Sequence, residues 1–132
     1  MRFLCLYKPS KPEGTPPTQQ EFAEMGKLVE EGFKSGTLLG TEGCMPSAKG
    51  ARVRLSNGKF TVTDGPFTET KEIVGGFALI QAKSKEQAIQ IAQDFLKIAG
   101  DGESEIRQVF DAEDFGHGCV TDIAQNKERL RA

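Results

Sequence analysis

The chain has 132 residues, which suits one domain and buries roughly two thirds of the surface the unfolded chain exposes. Its 17 basic and 19 acidic residues are interspersed and leave a net charge of −2, which excludes the basic stripe of a nucleic-acid surface and the polybasic segment of a membrane anchor. Three cysteines without paired spacing imply no disulfide framework, and the first apolar run is too short for a signal peptide or a membrane span, so a cytoplasmic protein is expected.

Residues 2–7 predict a strand that is apolar on both alternating sides, with Phe3, Cys5 and Tyr7 on one and Leu4 and Leu6 on the other. Residues 8–17 form a polar loop with four prolines. Thr18-Gln19-Gln20-Glu21 has the pattern of a capping box, in which the Thr18 hydroxyl and the Glu21 carboxylate satisfy free N–H groups. Phe22, Met25, Leu28, Val29 and Phe33 then recur at helical spacing, giving a helix over 19–35 that stops at Gly36. A short strand over 37–42 and a loop over 44–50 follow.

Residues 51–56 and 59–64 alternate around Asn57-Gly58, the preferred two-residue hairpin turn. That turn sets Ser56 opposite Lys59, Leu55 opposite Phe60 and Val53 opposite Val62, so one face is apolar; Arg54 lies beside Thr61 and Arg52 beside Thr63 on the other. After an Asp-Gly-Pro-Phe turn, 77–82 is a second strand apolar on both sides. Ser84-Lys85-Glu86-Gln87 is another capping box, and Ala88, Ile89, Ala92, Phe95, Leu96 and Ala99 make an amphipathic helix stopped at Gly100. Asp101-Gly102-Glu103 turns the chain into a last strand over 105–110. The acidic tail, 111–132, predicts a weak helix over 122–131 and is expected to pack Phe115, Ile123 and Leu130 on a partner subunit.

This order is β-α-β, hairpin, β-α-β: a single α+β domain of ferredoxin-like plan with an antiparallel sheet and an inserted hairpin. Two helices cover one face of such a sheet, yet two of its strands are apolar on both. The uncovered face calls for a second copy, and a homodimer with sheets packed face to face is expected.

The stretch Val62-Thr63-Asp64-Gly65-Pro66-Phe67-Thr68-Glu69-Thr70-Lys71-Glu72 resembles the signature of the DGPF-domain branch of the YciI-related proteins. Gly75-Gly76-Phe77, Ser84 to Ile89, Glu105 to Phe110 and Ala112 to Gly116 are similar to the same branch, as are Gly43, Lys49 to Arg54 and Glu128 to Ala132. The resemblance implies a bacterial protein with a dimeric α+β barrel and no agreed activity, in some cases linked to a sigma factor. The wider group has been suggested to hold a His-Asp acid/base pair with the histidine on the first helix. This chain has none there, its one histidine being His117, so that chemistry does not carry over.

Asp64 is the candidate catalytic carboxylate, ending a hairpin strand where a turn begins; near Arg52, Arg54 or Lys71 it would stay ionised and serve as acid/base. The plainer reading is a residue that hydrogen-bonds its own turn. Glu69, Lys71 and Glu72 are candidates for a pocket mouth or a solvated loop. Phe67 is a stacking platform for a ligand or an anchor for its loop. Gly75 and Gly76 suit close backbone approach. Arg54 and Arg107 are candidates to hold an anionic ligand, and Arg107 could equally pair with Glu105 or a tail acid. His117 and Cys119 lack paired zinc spacing, so neither a metal nor another cofactor is expected. Three functions stay open: a small-molecule-binding or sensing module with its pocket between helices and sheet and the 64–76 loop at the mouth, a cofactor-free enzyme using Asp64, and a structural dimer.

Overall fold

A computed structural model describes residues 1–68 and 72–115. Glu69, Lys71, His117, Cys119 and the expected helix over 122–131 lie outside the described residues. Six strands and two helices are described: β1 (Arg2–Pro9), α1 (Gln19–Ser35), β2 (Leu38–Gly43), β3 (Ala51–Ser56), β4 (Lys59–Asp64), β5 (Gly76–Gln81), α2 (Lys85–Ala99) and β6 (Gly102–Gln108). Four strands form an antiparallel sheet in the order β2-β5-β1-β6, and β3 and β4 pair apart from it. With the hairpin set aside, this is the ferredoxin-like arrangement, both βαβ units crossing the same sheet.

Local chemistry starts and stops the helices where the pattern placed them. The Thr18 hydroxyl accepts from the Glu21 N–H at 3.1 Å, and Ser84 Oγ accepts from the Gln87 N–H at 3.1 Å. Gly36 closes α1 with a φ of +79°, in the left-handed region. The reciprocal half of each expected box is altered. The Glu21 carboxylate turns to the Lys11 ammonium at 3.5 Å, and Gln87 Oε1 reaches back to the N–H of Lys83, one residue before the cap.

The last strand runs from Gly102 to Gln108 and not over 105–110. The ladder with β1 begins at the pair Pro9–Gly102, so the residues read as a turn already pair. At the other end the backbone N–H of Asp111 donates to the Asp114 carboxylate at 2.7 Å, which bends the chain away and leaves Phe110 exposed.

Strand alternation divides the sheet into two faces. Phe3, Cys5 and Tyr7 of β1 align with Ile80, Ala78 and Gly76 of β5, and Cys5 also with Ile106 of β6. This face meets the helices. The core there is thin: among the described residues the buried apolar side chains are Phe3, Cys5, Ile80, Ala82, Ala88 and Ala92. Helix α1 contributes no buried residue. Its close approach to the sheet is at Gly32, where an added Cβ would come within 2.9 Å of Leu38 Cβ. The opposite face carries Leu4, Leu6, Leu79 and Phe77, with Leu39 at its β2 margin; Phe77 and Leu39 are 38% and 43% exposed. No described helix is long and apolar enough to cross a membrane.

The hairpin has the register its turn dictates, from Ser56–Lys59 through Leu55–Phe60 to Ala51–Asp64. Its base is clipped to the body of the domain. The Gly65 N–H donates to the Gly50 carbonyl at 3.1 Å, and Ser47 Oγ accepts from the Phe67 N–H at 3.0 Å. The Glu13 carboxylate in turn accepts from the Ser47 N–H and hydroxyl at 2.7 and 2.6 Å. A Cβ on Gly65 would fall within the Ser47 carbonyl, so this position admits no side chain. Gly65→Ala should therefore destabilise the protein by about 1–3 kcal/mol, as an overpacked site does, read as a fall in melting temperature by calorimetry.

Candidate functional site

The loose seat of α1 leaves a cavity of about 950 Å³ between the helices and the sheet. Its wall is built from the apolar stripe of each element. Helix α1 supplies Met25, Leu28 and Val29, α2 supplies Ile91, Phe95 and Ile98, and the sheet supplies Cys5, Tyr7 and Ala78. Ile73, Val74, Gly75 and Gly76 line one side. The two glycines bring that segment close in, since a Cβ on Gly75 would touch the Pro9 ring and one on Gly76 the Glu42 carbonyl, each at 2.9 Å. The polar lining is Lys11, Glu13, Thr15 and Glu21 near the N-terminal end of α1, Glu31 and Ser35 farther along it, Asp94 on α2, and Thr37, Thr41, Glu42 and Ser104 on or beside the strands.

Two titratable groups on the sheet side of the wall, Cys5 and Tyr7, are held in their protonated forms. Burial pushes the Cys5 thiol up, with a hydrogen bond to Ser104 pulling weakly the other way. Burial also pushes the Tyr7 phenol up, helped by the negative charges of Glu21 and Asp101. Tyr7 packs edge-on against Phe95 with ring centroids 5.1 Å apart and donates to the Ala99 carbonyl at 3.4 Å. At neutral pH the cavity thus offers a thiol and a phenol that keep their protons. That suits binding an uncharged or weakly polar group and not thiolate attack.

A smaller cleft of about 260 Å³ adjoins the cavity and shares Glu13, Met45, Ile73 and Val74 with it. Ser47, Arg52, Phe67 and Glu72 complete its wall. Phe67 is half-buried, with the Arg52 guanidinium 4.0 Å over its ring, a cation–π contact that ties the hairpin to the turn. Phe67 and Glu72 are thus brought together. The other candidates lie elsewhere. Asp64 is the exposed last residue of β4, opposite Ala51, and is not among the residues lining either space. Arg54 is exposed in mid-hairpin opposite Thr61.

Arg107 and Glu72 meet at opposite ends of one row of ion pairs. Arg107 Nη1 lies 3.4 Å from Glu105, and Glu105 lies 3.1 Å from Lys8 Nζ. Lys8 is in turn 3.8 Å from Glu72. Arg2 takes the tail acid, Asp111, at 3.0 Å. Lys8, Glu13 and Ser47 were not among the sequence candidates. Lys8 had a readable signal, as the next outward position after Leu4 and Leu6. Glu13 and Ser47 had none, because their bond spans the rest of the proline loop, α1 and β2.

A family model described as the YCII-related domain matches residues 1–113, and the chain belongs to that family. An uncharacterized protein of Rhizobium meliloti (strain 1021) is 39% identical over 76 residues, which is 58% of this chain and 53% of that protein. The match therefore spans about half the length of that relative. Among solved structures, 5-chloro-2-hydroxyhydroquinone dehydrochlorinase from Burkholderia phenoliruptrix AC1100, in complex with 2,5-dihydroxybenzoquinone, aligns with a TM-score of 0.44 and 15% identity. The alignment covers 83% of this chain and 94% of that one, and at that score carries no argument about the chemistry here.

The ion-pair row makes stability depend on pH. A hydrogen bond from Lys8 holds the Glu105 carboxyl below the usual carboxylate range, and the same bond raises the Lys8 ammonium above its own. A lowered carboxyl stabilises the fold above the ordinary glutamate value of about 4.3 and loses that contribution as pH falls through the lowered value. A raised ammonium contributes fully below about 10.4 and loses it as pH rises through the raised value. Glu105→Gln should melt below the wild type at pH 7, with the gap closing as both are titrated down to about pH 3.

Proposed function

We propose that this YCII-related protein is a small-molecule-binding module, acting as a homodimer, whose ligand is apolar with one polar end and enters the space between α1 and the sheet. The supporting observation is the cavity itself. At about 950 Å³ it is at the upper end of ordinary ligand sites, and its wall is mainly apolar, with polar side chains toward its rim and N-terminal end. The polar end would face Tyr7 and the Lys11–Glu21 pair, where a hydroxyl or carbonyl finds partners. The Ile73–Gly76 segment and the Phe67 cleft would stand at the mouth. The Asp64-Gly65-Pro66-Phe67 turn supports placing the chain in the DGPF branch, where a sensing role alongside a transcription regulator of the sigma-factor class is the natural setting.

The dimer follows from the open sheet face. Leu4, Leu6, Phe77 and Leu79 form an apolar patch that the chain's own helices do not reach. Burying it at about 25 cal/mol per Å² contributes several kcal/mol towards association.

Two measurements check this reading. A fluorescent apolar probe such as anilinonaphthalene sulfonate should bind the wild type and lose most of its affinity in Val29→Phe, a variant that fills the cavity from α1. A ligand at about a hundred times its dissociation constant should add nearly 3 kcal/mol, roughly 10 °C in melting temperature. Probe binding that survives Val29→Phe but disappears in Leu79→Lys would place it on the open sheet and sink the cavity reading. Sedimentation should show a wild-type dimer at micromolar concentration and a folded monomer for Leu79→Lys; a wild type that stays monomeric defeats the dimer.

A further inference from the structure

We infer that the β3–β4 hairpin is an arm that packs its apolar face on a second copy of the chain. The inference rests on the homodimer proposed above and names the element that completes its interface. The hairpin forms its own two-stranded sheet, without a ladder to the main one, and every residue of both strands is exposed. Its two faces are chemically unlike. Arg52, at the base of one face, is engaged with Phe67 of the clip. The other face carries two cross-strand pairs, Val53–Val62 and Leu55–Phe60, at 68%, 62%, 61% and 73% exposure. A two-stranded hairpin is marginal alone in water, and four large apolar side chains on one of its faces form a patch that calls for cover.

Area decides the occupant. The four hairpin side chains leave roughly 400 Å² of apolar surface in water, taking full side-chain areas of about 100–200 Å². The open sheet face adds on the order of 300 Å² by the same reckoning. A stable interface buries about 800 Å² per partner, so the sheet patch alone falls short and the sheet with the arm comes close to it. A two-fold interface is self-complementary, so one arm from each copy is covered in the same event. The clip at Ser47, Gly65 and Phe67 holds the arm's base against the domain, so it projects in a set direction and needs no ordering on contact.

The arm is tested by sedimentation of wild type and Phe60→Ser/Val62→Ser, with amide hydrogen exchange over residues 53–62 followed on dilution. The dimer dissociation constant should rise about tenfold or more in the double variant, as expected on losing two anchoring side chains, while far-ultraviolet circular dichroism stays that of the wild type. In the wild type, protection over 53–62 should be lost as the protein is diluted through its dissociation constant. Val53→Thr/Val62→Thr, which keeps shape and strand propensity, should weaken the dimer in the same direction if the serine variant does not fold. Protection that is independent of concentration assigns the cover to the same chain and overturns the arm. A double variant with the wild-type dissociation constant also overturns it and leaves the dimer standing, whereas a monomeric wild type removes the dimer and the arm together.

Discussion

Contact between Gly32 and Leu38 sets how helix α1 meets the sheet, and the character of the protein depends on it. A glycine there lets the C-terminal part of the helix come down onto β2. Towards the N-terminal part, Met25, Leu28 and Val29 line the cavity, and no residue of the helix is fully buried. A longer side chain at position 32 would lift the helix; a larger set opposite Met25 would fill the gap. The chain has neither, and so has a thin core of Phe3, Ile80 and a few small residues under α2 beside a large, mainly apolar chamber under α1. Stability given up in packing is what leaves room for a ligand, since each unfilled volume in a core costs contacts.

The Asp-Gly-Pro-Phe turn is the second fixed point. It holds the foot of the hairpin through backbone bonds to the 47–50 turn and through Arg52 over Phe67, and its downstream segment becomes a wall of the cavity. One short segment thus orients an external element and shapes an internal one. The row Glu72–Lys8–Glu105–Arg107 runs from this segment along the outer face of β1 and β6, so cavity wall and open sheet face are joined by charges that hold one another.

Elements whose cause is local were legible in the residues. The hydroxyl caps at Thr18 and Ser84, the stop at Gly36 and the hairpin register around Asn57-Gly58 need only their own neighbours and stand as expected, whereas the reciprocal half of each capping box is taken by a partner outside the box. The last strand was displaced because Asp-Gly-Glu reads as a turn until the end of β1 is there to pair with it. Phe67 and Glu72 come together in one cleft, yet their companions Glu13 and Ser47 carry no pattern that marks them, because long-range contacts leave no periodicity. The cavity was foreseeable as a place and not as a volume: helical spacing says which residues of α1 face inward and not how far from the sheet they stop. Gly32 carries that information, but a glycine inside a helical pattern has no apolar mark to show what it packs against.

A chamber of about 950 Å³ also changes what the protein occupies as a body in solution. Unfolding abolishes internal void, and the loss of volume grows with the void abolished. The chamber is partly open to solvent, so only the part that stays dry counts in that volume, and a molecule seated under α1 would displace dry space and water alike. Compressibility reports on occupancy here, and it does so before the identity of any ligand is known.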